Sequence, residues 1–266
     1  MSLPPPSSDT AALVTGASSG IGAEFARELS RRGHQVVLVA RSGDKLAELA
    51  AELGAGAHVL TADVGHPAAR AALPDRVAEL GLSASMLVNN AGFSTLGPVA
   101  KSDPAAELNL VEVDIAAVVD LCSRFVPGMV ERGRGAVLNV ASTAAFQPLP
   151  GQAAYGAAKA FVLSYTQSLA TELRGTGVSA TALCPGPVKT GFGERAGFAE
   201  GDFDGALPKV MWVSAADVAK KAIDAMAAGK RVVIPGAVNR VGAGLAQLTP
   251  RALLLPALAR VHPGLK

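Results

Sequence analysis

Thr15-Gly16-Ala17-Ser18-Ser19-Gly20-Ile21-Gly22 follows the first apolar run of the chain and opens its first stretch of helical period. Glycines in such a place let the backbone turn tightly and approach a ligand that a Cβ would exclude. A helix that starts there offers free N–H groups and a partial positive charge to a phosphate. The spacing is G-x-x-x-G-x-G. A glycine turn alone says little, but strand, loop and helix in this order make a phosphate loop.

Outward from this loop the pattern repeats. Short apolar runs are predicted as strands over 11–15, 35–40, 58–62, 86–89, 136–140, 178–183 and 231–234. The stretches between them predict helices over 21–32, 45–53, 68–80, roughly 108–131, 154–174 and 215–228. The runs are apolar on both faces, as strands covered by helices on two sides should be. The alternation predicts an α/β fold, a single doubly wound domain with a parallel sheet of about seven strands and ligands at the strands' carboxyl ends. Residues 1–10, rich in proline, are expected as a flexible tail, 11–236 as the domain, with a lid over about 186–213, and 237–266 as an apolar and basic extension.

Composition removes other classes. Half of the 266 residues are hydrophobic and 17% are charged, which suits a packed core. The net charge is +2 with no basic stripe, so no nucleic-acid partner is expected. Cys122 and Cys184 have no partners at metal-ligand spacing, so no metal is expected; they read as buried thiols of a cytoplasmic protein. No signal peptide and no apolar run of membrane-spanning length is seen.

Further landmarks follow the loop in order: Asp63-Val64, Asn89-Asn90-Ala91-Gly92, Ser142, Tyr155 with Lys159, and Pro185-Gly186. With the glycine octet, this ordered set resembles the short-chain dehydrogenase/reductase family over roughly Ala11 to Ile234. The resemblance implies a Rossmann-type fold, a nicotinamide cofactor and hydride transfer to a carbonyl or from an alcohol. It places Gly16, Ser18, Ser19, Gly20, Ile21 and Gly22 at the pyrophosphate. Asp63 and Val64 would meet the adenine, and Asn90, Ala91 and Gly92 a ribose. Pro185, the Val188 backbone and the Thr190 hydroxyl would meet the nicotinamide carboxamide.

Arg41 directly follows the second strand, where NAD-binding folds place an acid for the ribose hydroxyls; the nearest acid, Asp44, comes three residues later. A guanidinium grips a phosphate with two parallel bonds, and Ser18 could add a hydroxyl. NADP(H) is therefore favoured over NAD.

Tyr155 and Lys159 stand four apart at the start of a helix and share a face. A free phenol titrates near pH ~10, so a neighbouring ammonium and a positively charged nicotinamide are expected to pull it down. By resemblance Tyr155 is the acid/base, Lys159 also binds the nicotinamide ribose, and Ser142, thirteen residues before Tyr155, holds the substrate oxygen. Thr143 is the second choice for that hydroxyl. The family commonly carries an Asn in the long helix before Ser142 that kinks it and holds a water linked to the Lys. Asp114 matches that position here, unless the helix register is off and it is a solvated face. Ser214-Ala-Ala-Asp217 reads as a capping box.

Phe93, Phe146, Leu149, Phe192, Phe198, Phe203, Leu207 and Trp212 make an apolar substrate pocket plausible, or simply pack the lid. From Gly229 to the end there are six Lys and Arg and no Asp or Glu. A membrane-surface contact there is the less favoured reading, because Pro250 and Pro256 prevent one long amphipathic helix. By resemblance the chain forms a homodimer or homotetramer through its two long helices. The expected partner is a small carbonyl or alcohol; the alternatives are an NAD-dependent alcohol dehydrogenase or a non-catalytic nicotinamide-binding regulator.

Overall fold

The computed structural model describes residues 3–198, 208–261 and 263–265. Seven strands form one parallel sheet: β1 (Thr10–Thr15), β2 (Gln35–Ala40), β3 (Ala57–Thr61), β4 (Ser83–Asn89), β5 (Gly135–Val140), β6 (Val178–Leu183) and β7 (Val232–Val233). Their order across the sheet is 3-2-1-4-5-6-7. The chain reverses direction of growth between β1 and β4, and a crevice opens there at the strands' carboxyl ends.

Helices cover both faces. α1 (Gly20–Arg31), α2 (Gly43–Leu53) and the helix Ala215–Ala227 lie on one side. α3 (Pro67–Glu79), α5 (Ala117–Glu131) and α6 (Ala153–Glu172) lie on the other. β1 shows why its run is continuously apolar. Ala11 and Leu13 enter the core beneath α3, α5 and α6, while Ala12 and Val14 enter the core beneath α1 and α2.

Three boundaries differ from the sequence reading. The expected single helix over 108–131 begins earlier, as α4 (Pro104–Val111), and passes through a π-helical turn, Glu112–Ala116, before α5. The N-terminal segment is docked rather than loose. Pro4 is buried, Gln35 Nε2 donates to the Ser8 carbonyl at 2.7 Å, and the Asp9 carbonyl accepts from Ser83 N at 2.9 Å. Beyond residue 236 the chain forms two helices, Ala237–Leu248 and Arg251–Val261. Pro250 separates them, but Pro256 sits inside the second. The carbonyl it leaves unpaired, that of Ala252, is on an exposed turn where water can bond it.

Candidate active site

A cavity of about 580 Å³ occupies the crevice, and it is lined by the glycine loop, Arg41, Asp63-Val64, Asn90-Ala91-Gly92, Ser142, Tyr155, Lys159 and Pro185-Gly186. Its first part is the glycine loop. Gly16 and Gly20 have φ of +66° and +58°, which favour glycine. A Cβ on Gly22 would lie 2.2 Å from the Gly16 carbonyl, so α1 could not start so close to the loop with any other residue. Ser19 opens α1 without a side-chain cap bond. The first-turn N–H groups therefore have no side-chain acceptor from Ser19, as an anion site requires.

Asn90 braces this loop rather than only lining it. Its Nδ2 donates to the Thr15 carbonyl at 3.0 Å, and Thr15 Oγ1 accepts from the Asn90 and Ala91 N–H groups, each at 3.0 Å. Thr15 was not singled out in the sequence, although it starts the octet. Below it, Asn89, Asn139 and Thr166 form a buried chain. Asn89 Nδ2 donates to Asn139 Oδ1 at 2.9 Å, and Asn139 Nδ2 donates to Thr166 Oγ1 at 3.0 Å. This chain ties β4, β5 and α6 together beneath the site.

At the far end of the crevice Arg41 and Lys45 both line the cavity, as do Asp63 and Val64. The Arg41 side chain is 76% exposed, with Asp63 Oδ2 at 4.0 Å. Asp63 stands two residues past the end of β3, and its Oδ1 accepts from Gly65 N at 2.9 Å, a turn bond that leaves Oδ2 toward the cavity rim. Lys45 escaped the sequence reading because at the start of α2 it looks like any solvated lysine. Ser18, Ala91, Gly92, Pro185, Val188 and Thr190 also line the cavity.

Ser142, Tyr155 and Lys159 come together in the middle. Ala141 N donates to the Leu183 carbonyl at 2.7 Å and Thr143 N to the Pro185 carbonyl at 2.9 Å, which fixes Ser142 between the ends of β5 and β6. Ser142 and Tyr155 both line the cavity, and the Ser142 oxygen accepts from Ala144 N at 3.1 Å. Lys159 Nζ lies 5.6 Å from the centre of the Tyr155 ring and donates to the Val140 carbonyl at 3.1 Å.

Asp114 is not a solvated face. It is 1% exposed, and its Oδ2 lies 2.9 Å from Lys159 Nζ. Its Oδ1 accepts from Phe93 N at 3.1 Å. The π-helical turn carries it inward; such one-turn distortions concentrate at functional sites. Gly92 leaves little room beside it, since a Cβ there would stand 3.0 Å from Asp114 Oδ2 and 3.2 Å from Lys159 Nζ.

The electrostatics correct one expectation. Burial pushes the Tyr155 phenol above its ordinary value, against the pull of Lys159 and Ser142, and Asp114 adds to the rise. Lys159 does not lower the phenol overall because burial of the phenolate outweighs its field, and Asp114 adds a smaller opposing contribution. Burial would depress the Lys159 ammonium, but Asp114 and Tyr155 outweigh it and raise its pKa. Burial raises Asp114, while Lys159 opposes that rise.

The remaining wall is largely apolar, formed by Phe93, Leu149, Phe192, Phe198, Met211 and Leu258 with Gln147 and Gln152 among them. Phe146 belongs to the core instead, and Trp212 stands over Lys189 Nζ at 5.8 Å. Phe203 and Leu207 lie outside the described residues. Met211 and Leu258 were not legible in sequence, since segments far apart in the chain bring them here. Ser214 caps its helix as expected, its Oγ accepting from Asp217 N at 3.1 Å.

Residues 10–199 match the family model described as short chain dehydrogenase. An uncharacterised oxidoreductase of Staphylococcus epidermidis is 34% identical over 189 residues, 71% of this chain and 82% of the relative. The NADP-dependent 3-hydroxy acid dehydrogenase of Escherichia coli is 36% identical over 180 residues, 66% of this chain and 71% of the relative. A short-chain dehydrogenase from Sphingobium yanoikuyae, solved in complex with NADPH, superposes with a TM-score of 0.77 at 32% identity, covering 91% of this chain and 97% of that one. The uncapped glycine loop, the Ser142, Tyr155 and Lys159 cluster and these matches lead to one conclusion: the chain belongs to the short-chain dehydrogenase/reductase family of oxidoreductases.

Proposed function

We propose that this protein is an NADP(H)-dependent carbonyl reductase acting on an apolar ketone, with Tyr155 as its general acid. The observation that carries the reading is the cluster at the cavity's centre. Ser142 and Tyr155 line the same cavity, Lys159 stands over the Tyr155 ring, and a largely apolar wall lines the rest.

The residues present suit the cofactor. The cradle that Gly16 and Gly22 keep open would take the pyrophosphate. Arg41 and Lys45 would take the 2′-phosphate, with Val64 against the adenine and Thr190 beside the carboxamide. Lys159 would bond the nicotinamide ribose. The relative from Escherichia coli is named for NADP and the Sphingobium neighbour holds NADPH, which agrees with this choice.

A bound nicotinamide supplies the hydride. Ser142 orients the carbonyl oxygen of the substrate toward the phenol, and Tyr155 delivers its proton to that oxygen. A phenol held above its ordinary pKa stays protonated at neutral pH, which suits a proton donor. The charged Lys159, neutralised in part by Asp114, stabilises the phenolate that remains.

The test is a panel of aliphatic, cyclic and aromatic ketones, followed at the nicotinamide absorbance band with NADPH. Wild type should turn over the bulkier apolar members. Tyr155→Phe should bind NADPH normally and lose turnover by ~10² or more, the loss of a general acid. Full turnover in that variant, or no turnover of any member by wild type, removes the proposal and favours the non-catalytic regulator.

A further inference from the structure

The helix Ala237–Leu248 is packed inside out for one facing water. Its buried residues are small: Asn239, Ala243 and Ala246. Its exposed residues are large. Val241, Leu245 and Leu248 are 62, 61 and 83% exposed, and Val238 continues their row at helical spacing. After the turn at Thr249 and Pro250, the helix Arg251–Val261 adds Leu253, 69% exposed. A row of exposed branched side chains on adjacent elements marks a docking surface.

Charge selects the occupant. From Gly229 to Lys266 the chain carries six Lys and Arg and no Asp or Glu. Arg240, Arg251 and Arg260 are exposed along the two helices. A second copy docking here about a two-fold axis would meet the same positive surface, and like charges oppose that pairing. Leu108 and Val111 of α4 and Phe161 of α6 are exposed elsewhere, on helices that do not carry this run of cations. Anionic lipid headgroups match the surface on both counts, taking cations at the phosphate level and the apolar row below it.

We propose that the helices Ala237–Leu248 and Arg251–Val261 form a membrane-docking face that lies on an anionic phospholipid bilayer. No helix among the described residues is long and apolar enough to cross a membrane, so the face lies on the bilayer and does not span it. Pro250 does not abolish the surface; it divides the surface between two short helices. The second helix also supplies Leu258 to the wall of the catalytic cavity. On the reductase reading above, an apolar ketone dissolved in the bilayer then has a short path to Tyr155.

The experiment is flotation of the full chain with vesicles of phosphatidylglycerol and phosphatidylcholine in equal parts, and with phosphatidylcholine alone. Wild type should float with the anionic vesicles, and 0.5 M salt should release most of it, roughly as screening of several cations demands. Leu245→Ser combined with Leu248→Ser should weaken partitioning by at least ~tenfold, and Arg240→Gln by about fivefold. Circular dichroism checks that each variant is folded; if the serine pair is not, the Arg240 variant and the salt series still decide. Wild type that stays at the bottom with both vesicle types overturns the proposal. So does flotation that neither the substitutions nor salt reduces. A serine pair that instead splits an oligomer in sedimentation, with wild type indifferent to vesicles, assigns the face to a second copy. Flotation needs no turnover, so its failure leaves the reductase reading standing, and an inactive protein that floats does the reverse.

Discussion

Asp114 Oδ2 and Lys159 Nζ meet at 2.9 Å, both almost wholly buried, one carried by a π-helical turn and the other by α6. A buried cation near a reacting phenol needs its counter-ion or it loses its proton. The pair therefore keeps Lys159 charged, and in return weakens the field at Tyr155.

Asp114→Asn tests this balance. The amide keeps the acceptor for Phe93 N but removes a negative charge that raises the phenol. The phenol pKa should fall, so the rising limb of kcat/KM for alcohol oxidation should move to lower pH, because the phenolate is the base in that direction. Lys159 loses the carboxylate that raises its own pKa, so the limb set by loss of the ammonium should also move to lower pH. These groups titrate as a coupled set, and each limb belongs to the site. With no proton donor removed, kcat should stay within about tenfold. A profile displaced to higher pH contradicts the electrostatic account.

Arg41→Ala tests the cofactor preference. Losing a charge-assisted phosphate contact costs about 1.5–3 kcal/mol. Arg41 is 76% exposed, so solvent screening puts the cost at the low end, about 1.5 kcal/mol or roughly tenfold. Calorimetry with NADPH and NADH should show that loss for NADPH only. The residual preference should then fall further in an Arg41→Ala, Lys45→Ala double variant. Equal affinities of wild type for the two cofactors speak against NADP(H).

Asn139→Ala tests the support beneath the site. The substitution removes one buried bond from Asn89 Nδ2, which keeps Cys122 Sγ at 3.4 Å, and one from Thr166 Oγ1, which still donates to the Val162 carbonyl at 2.6 Å, and it opens a small void. Each lost bond costs ~0.5–1.5 kcal/mol net, and the void adds to that. Allowing for relaxation, a loss of about 2–4 kcal/mol in unfolding free energy is expected by urea titration. A change under about 0.5 kcal/mol means the network is not what holds β4, β5 and α6 in place.

The sequence by itself determined the sheet, the glycine loop and the Ser142, Tyr155 and Lys159 cluster. Short apolar runs alternating with stretches of helical period read as strands covered on both sides, and the strand–loop–helix order of the octet is local, although the space that Gly16 and Gly20 need is set by Asn90, Ala91 and Thr190 far along the chain. Tyr155 and Lys159 share a face whatever surrounds them, because four residues is one helical turn. The side on which Asp114 lies was not determined that way. A regular 3.6-residue period cannot register the extra residue of the π-helical turn, and that turn is what brings the carboxylate to Lys159. The bracing amide of Asn90, the docking of Pro4 to Asp9, and Met211 and Leu258 in the cavity wall all depend on contacts between segments far apart in the chain. The leucines of the helix Ala237–Leu248 make the same point. Their spacing announces an apolar stripe, but only the packing of Asn239, Ala243 and Ala246 against the body decides that the stripe faces outward. Local periodicity fixes which residues share a face, and tertiary contacts alone fix what that face meets.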